Sequence, residues 1–146
     1  MNTKENQTLE QKRAKYAFDM INKIKGKNYE KDFNSLISKM PTLILTNGLG
    51  NSFAFLFSKG KDHHLATIYT ISNWLFNEFD IKIFNQEIED ISLDNLGKIK
   101  EKIDQILNPL VLQADTQTYI FATEESLRLL NWLRRFASSM LKSEEQ

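Results

Sequence analysis

Apolar residues recur along this chain at spacings of three and four, the pattern of helices with one buried face. Thr8 and Gln11 form a capping-box pair, after which Leu9, Tyr16, Ala17, Met20, Ile21 and Ile24 share one side up to Gly26. This predicts a first helix over roughly residues 9–25. A second is expected from Tyr29 to Lys39, and Pro41 either kinks it or opens a new turn carrying Leu43, Ile44 and Leu45. Asn47-Gly48-Leu49-Gly50-Asn51 interrupts the run, and because glycine and asparagine reach positive φ cheaply, a corner between helices is expected there. The helical pattern resumes over Ser52 to Ser58.

From His64 to Glu78, the positions of Leu65, Ile68, Tyr69, Ile71, Trp74 and Leu75 predict a fourth helix. Residues 80–93 are open to two readings, since Ile81-Lys82-Ile83-Phe84 alternates as a short strand does but suits an extended loop equally. Asp94 to Leu107 reads as a fifth helix and Asp115 to about Lys142 as a long final one, with Pro109 separating or kinking them. The expected fold is therefore all-α: a single compact domain over residues 1–146, of about five to six helices, frayed at 1–8 and 143–146. A chain of 146 residues is one ordinary domain, able to bury roughly 70% of its unfolded surface without a metal or disulfide.

The absence of cysteine excludes a disulfide framework, thiol catalysis and cysteine-based zinc or iron–sulfur sites, and fits a reducing cytoplasm. The longest apolar run, Phe53 to Phe57, is far short of the about 20 residues of a membrane span, so no membrane association is expected. Net charge is zero but unevenly spread: residues 1–61 carry eleven basic and five acidic side chains, residues 62–125 four and twelve, and residues 126–146 four and two. Packing of the two ends together would make one face basic; interleaving of the segments would cancel the asymmetry.

The final helix carries the most informative constellation. Arg128 and Arg135, seven residues apart, share its polar face with Trp132 at their border, and an aromatic between two arginines suits stacking on bases with salt pairing to phosphate. The alternative is a solvated face on which Glu124 pairs with Arg128 and Trp132 seals the core edge. Lys12, Lys15 and Lys23 form a second basic stripe on the first helix, interrupted by Asp19, with Lys25, Lys27 and Lys31 beyond it. Arg13 points into the apolar arc of that helix and needs a carboxylate, carbonyl ends or a phosphate once covered. The glycine corner lacks the Gly-Lys-Ser/Thr ending of a phosphate loop. His63 and His64 lie about 100° apart on a helix, which suits joint ligation of one metal poorly. Glu87, Glu89, Asp90 and Asp94 read as an acidic loop without the glycine of a calcium loop. No metal, cofactor or enzymatic activity is expected.

Three stretches together resemble a known family. They are Gln11-Lys12-Arg13-Ala14-Lys15-Tyr16-Ala17, then Met40 to Gly50 leading to Ala54-Phe55-Leu56, and Tyr119 followed by Ala122-Thr123-Glu124-Glu125 and Leu130-Asn131-Trp132-Leu133-Arg134-Arg135-Phe136-Ala137. They resemble the small helical subunit of the type III-B CRISPR effector, the Cmr complex. The resemblance implies a non-catalytic domain whose copies stack along the backbone subunits, partnered also by the large subunit, guide RNA and target RNA. It marks Lys12, Arg13, Lys15, Lys23, Arg128, Trp132, Arg134 and Arg135 as RNA- or subunit-facing, and Pro41, Asn47, Gly48 and Gly50 as a structural corner. The isolated protein is then expected to be monomeric or weakly self-associating. A stand-alone helical adaptor without RNA is the competing expectation, and a small hydrolase using the acidic loop a third.

Overall fold

The first helix, α1 (Leu9–Ile24), begins where Thr8 caps it: Thr8 Oγ1 accepts the Gln11 N–H at 3.1 Å and the Gln11 side chain accepts the Thr8 N–H at 2.9 Å. Two donors that a helix start leaves orphaned are thereby paired. The computed structural model describes residues 7–144, so of the ends expected to fray, 1–6 and 145–146 lie outside the described residues. The other helices are α2 (Glu30–Asn47), α3 (Leu49–Lys59), α4 (Asp62–Ser72), α5 (Leu96–Glu101), α6 (Ile103–Leu107) and α7 (Thr116–Met140). α4 runs on as a wider π-helical segment over Asn73–Glu78, and α6 over Asn108–Gln113. No strand forms among the described residues.

α2 passes through Pro41 to Asn47 in one piece. Proline removes the donor for the Ile37 carbonyl, but Ile37, Met40 and Ile44 form one unbroken buried face that keeps the segment helical. The corner falls at Gly48, whose φ of 87° and ψ of 158° end α2 and start α3 in a single residue. Gly50 lies inside α3 without positive φ, and its requirement is close approach. Its N–H donates to Tyr119 Oη at 2.8 Å, and a Cβ there would come within 2.7 Å of Val111 Cγ2.

The stretch 80–93 is irregular. Phe84 stacks on Phe76 with ring centres 4.4 Å apart, and the Asn77 side chain brackets Ile88, accepting its N–H at 2.8 Å and donating to its carbonyl at 2.9 Å. Of the two readings open from the alternation, the loop forms, held by side chains and not by a partner strand. The single helix expected over 94–107 divides at Lys102, and Pro109 lies near the start of the π-helical segment instead of separating the last two helices. Ala114, extended, makes that break, and Asp115 starts α7 by accepting the Thr118 N–H at 2.8 Å.

α7 is the spine, flanked by α1 and α2, with Leu129, Leu130, Leu133 and Ala137 fully buried. α2 runs antiparallel to it: Glu30 at its start accepts the Lys142 N–H at 2.7 Å, and the α2–α3 corner meets Tyr119. Glu30 also accepts the Gly26 N–H at 3.0 Å, so one carboxylate clasps the α1–α2 turn to the chain following α7. Burial raises the Glu30 carboxyl, but the two backbone donors and the charges of Lys142 and Lys25 outweigh it and hold the group below its ordinary value.

Candidate nucleic-acid interface

Arg13 lies on the buried side of α1 and meets α7 there. Its Nε donates to Glu125 Oε2 at 2.7 Å and its Nη2 to Oε1 at 2.8 Å, a bidentate pair in which both partners are buried. The Trp74 indole N–H, from the π-helical segment after α4, donates to Glu125 Oε2 at 2.8 Å, and Glu10 approaches the guanidinium at 3.4 Å. The hydrogen bond to Glu125 raises the Arg13 pKa, burial opposes it, and the charges of Glu125 and Glu10 add to the rise. Of the partners a covered Arg13 needs, a carboxylate, carbonyl ends or a phosphate, it takes a carboxylate 112 positions away, which engages its Nε and Nη2. Sequence reasoning missed Glu125 and Trp74 as its partners; the available signal was an acidic residue three and four positions from Ala122 and Leu129 on the buried face of α7.

The remaining cations fall into separate groups. Lys12 pairs with Asp80 and Lys15 with Asp19 at 3.3 Å, while Lys23 is exposed. Lys12 and Lys15 border a cleft of about 340 Å³ floored by Tyr16 and Trp74, but Asp19, Glu78 and Asp80 line it too, so its charge is mixed. The acidic middle of the chain sends Asp80 to Lys12, Asp94 to Lys27 at 3.6 Å and Glu125 to Arg13. Of the two outcomes for the uneven charge, these pairs are the interleaving one.

On the outer side of α7, Arg128 and Arg135 are exposed and make no ion pair among the described residues; the Glu124–Arg128 pair does not form. They stand one turn before and one turn after Trp132, within about 60° of it around the helix. Trp132 is half-buried, donates its Nε1–H to Glu10 Oε1 at 3.0 Å and stacks on Phe136 with centroids 5.7 Å apart. Arg134 is exposed but about 160° around from Trp132. Arg128, Trp132 and Arg135 therefore share one face of α7, from which Arg134 points away, while Lys12, Lys15 and Lys23 belong to α1.

The family model described as CRISPR-associated protein (Cas_Cmr5) matches residues 9–140, a span holding both the glycine corner and the Trp132 to Ala137 segment. The chain belongs to the Cmr5 family. It is thereby a small subunit of the type III-B Cmr complex, and its association with other Cmr subunits follows from that membership. Among the described residues, no helix of this Cmr5-family chain is long and apolar enough to cross a membrane.

Two other features single themselves out less. In this Cmr5-family member the corner leaves no cradle for an anion, since the Tyr119 hydroxyl fills the space beside Gly48 and Gly50. The His63 and His64 rings tilt against each other at 4.0 Å, and no group of three or more potential metal ligands occurs among the described residues. Burial, aided by the charges of His63, Lys61 and Lys59, pushes His64 down to about 4, and its buried Nδ1 has no hydrogen-bond partner among the described residues. The unfolded chain, with an ordinary histidine, takes up this proton first. Stability should accordingly fall as pH drops from about 6.5 towards 4. His64→Gln should flatten that part of a thermal-midpoint profile; an unaltered profile would show that His64 is freely solvated.

Proposed function

We propose that the chain is a non-catalytic small subunit of an RNA-guided interference complex in the cytoplasm, stacking as a filament along the backbone subunits and supporting the guide–target duplex through basic side chains. The observation that carries this reading is the pair Arg128 and Arg135, two exposed cations on one face of α7 with no ion-pair partner among the described residues. A support for arbitrary guides has to meet phosphates and A-form shape instead of base edges, and two unpaired arginines without a base-reading motif suit that task. Leu45 and Leu112, 73% and 75% exposed, supply apolar surface suited to protein neighbours: the backbone subunit, the large subunit or a further copy. A single neutral copy offers few phosphate contacts and binds RNA weakly, whereas stacked copies add theirs along one backbone.

The test is target-RNA affinity at several salt concentrations for complexes of verified equal composition. Arg128→Glu with Arg135→Glu should weaken binding for unrelated guides alike, each lost phosphate contact flattening the logarithmic salt dependence by roughly 0.7–0.9. An identical slope and affinity excludes these arginines from the RNA surface. Loss of the small subunit from the complex reassigns them to subunit contacts and favours the adaptor reading.

A further inference from the structure

Resting on the RNA-facing reading of α7, we infer that Trp132 is a stacking platform for an unpaired RNA base, so that the face whose arginines meet duplex phosphates also takes a nucleotide left unpaired beside the duplex. The ring is set in place before any ligand arrives. Glu10 holds its N–H at 3.0 Å, one face lies on Phe136 with the planes 26° apart, and Phe136 is met edge-on by Phe18 at 5.5 Å. Glu10 is in turn tied to Arg13 at 3.4 Å, and Arg13 to Glu125, so the orientation of a half-buried surface indole is anchored in the interior. An aromatic fixed in this way loses little freedom when a base stacks on it. Phe18, 45% exposed, extends the apolar surface beside the stack.

Charge selects the occupant. Arg128 and Arg135 are about 10 Å apart along the axis, unpaired among the described residues, and able to reach phosphates on either side of one nucleotide. Glu10, the carboxylate at the indole, is already engaged by its N–H and by Arg13. A base inside an A-form duplex has both faces covered by its neighbours, so stacking on Trp132 demands an unpaired nucleotide. No base edge is read, which makes the platform tolerant of sequence.

The experiment follows tryptophan emission of the full chain titrated with a short mixed-sequence oligoribonucleotide, a ribose-phosphate strand of equal length lacking bases, and the corresponding duplex. Base-bearing single strands should quench the emission. Trp132→Phe should remove most of that quench, because Trp74 is only 4% exposed, while keeping a ring in the stack. The strand without bases should bind roughly tenfold more weakly than the normal one. Trp132→Ala, checked for an unchanged helical spectrum, should weaken binding of the normal strand alone, and Arg128→Gln with Arg135→Gln should weaken both. Equal affinity for strands with and without bases, with the arginine effect intact, overturns the platform and leaves the basic face standing. Indifference to both tryptophan and arginine changes overturns both. Quenching that follows protein concentration and not RNA gives the face to a second copy, and also overturns the platform.

Discussion

Replacing Glu125 with alanine should destabilise the protein by about 3–5 kcal/mol, the range for removing one partner of a buried ion pair. The reason is what remains. Arg13 keeps its charge inside the contact between α1 and α7, and the Trp74 N–H loses its acceptor. Glu10, mostly exposed and 3.4 Å away, can take over only part of the guanidinium. A domain has about 5–15 kcal/mol to lose, so the midpoint of denaturant unfolding should move far while the slope stays constant. Substituting both partners with apolar residues, Arg13→Met with Glu125→Leu, should recover most of the loss, since no charge is then stranded. A Glu125→Ala cost under about 1 kcal/mol would place the pair within reach of solvent.

Gly48→Val should cost about 1–3 kcal/mol. At φ 87° and ψ 158° the backbone occupies a region open essentially to glycine alone, and a Cβ would stand 3.2 Å from the Tyr119 hydroxyl that holds the Gly50 N–H. Asparagine discriminates the cause. Gly60, at φ 66° and ψ 12°, is an ordinary left-handed helix cap where Gly60→Asn should be nearly neutral, whereas Gly48→Asn should be almost as damaging as valine. For a chain of this size each kcal/mol lowers the thermal midpoint by roughly 2–4 °C, readable without any partner. An unchanged midpoint for Gly48→Val, accompanied by failed assembly, would move the corner from the fold to an interface.

Much of the fold was legible because helical periodicity and caps are local. Thr8 with Gln11, the apolar arc of α1, the corner at Gly48 and the long final helix all follow from residues within a few positions of each other. The division at Lys102 and the widened turns at Asn73–Glu78 and Asn108–Gln113 do not, since neither glycine nor a sharp change of period marks them. The site was legible in part. Arg128, Trp132 and Arg135 share a face by spacing alone, but that Glu124 does not pair with Arg128 is decided by side-chain placement. The fate of Arg13 was open from sequence, because a buried cation announces its need for a partner and not where the partner lies. Lys12 shows the same limit: its stripe on α1 is readable, but Asp80, which it meets, arrives from an irregular stretch.

The placement of α7 also bears on how the protein is made. α7, against which both α1 and α2 pack, is made after them, and Arg13 and Glu30 find Glu125 and Lys142 only across a separation of 112 positions. Until then the sides of α1 and α2 that α7 covers lack that cover, and contacts so distant in sequence form slowly. Completion of this core therefore waits until α7 has been made. Premature termination anywhere before α7 yields a sticky fragment, never a shortened subunit.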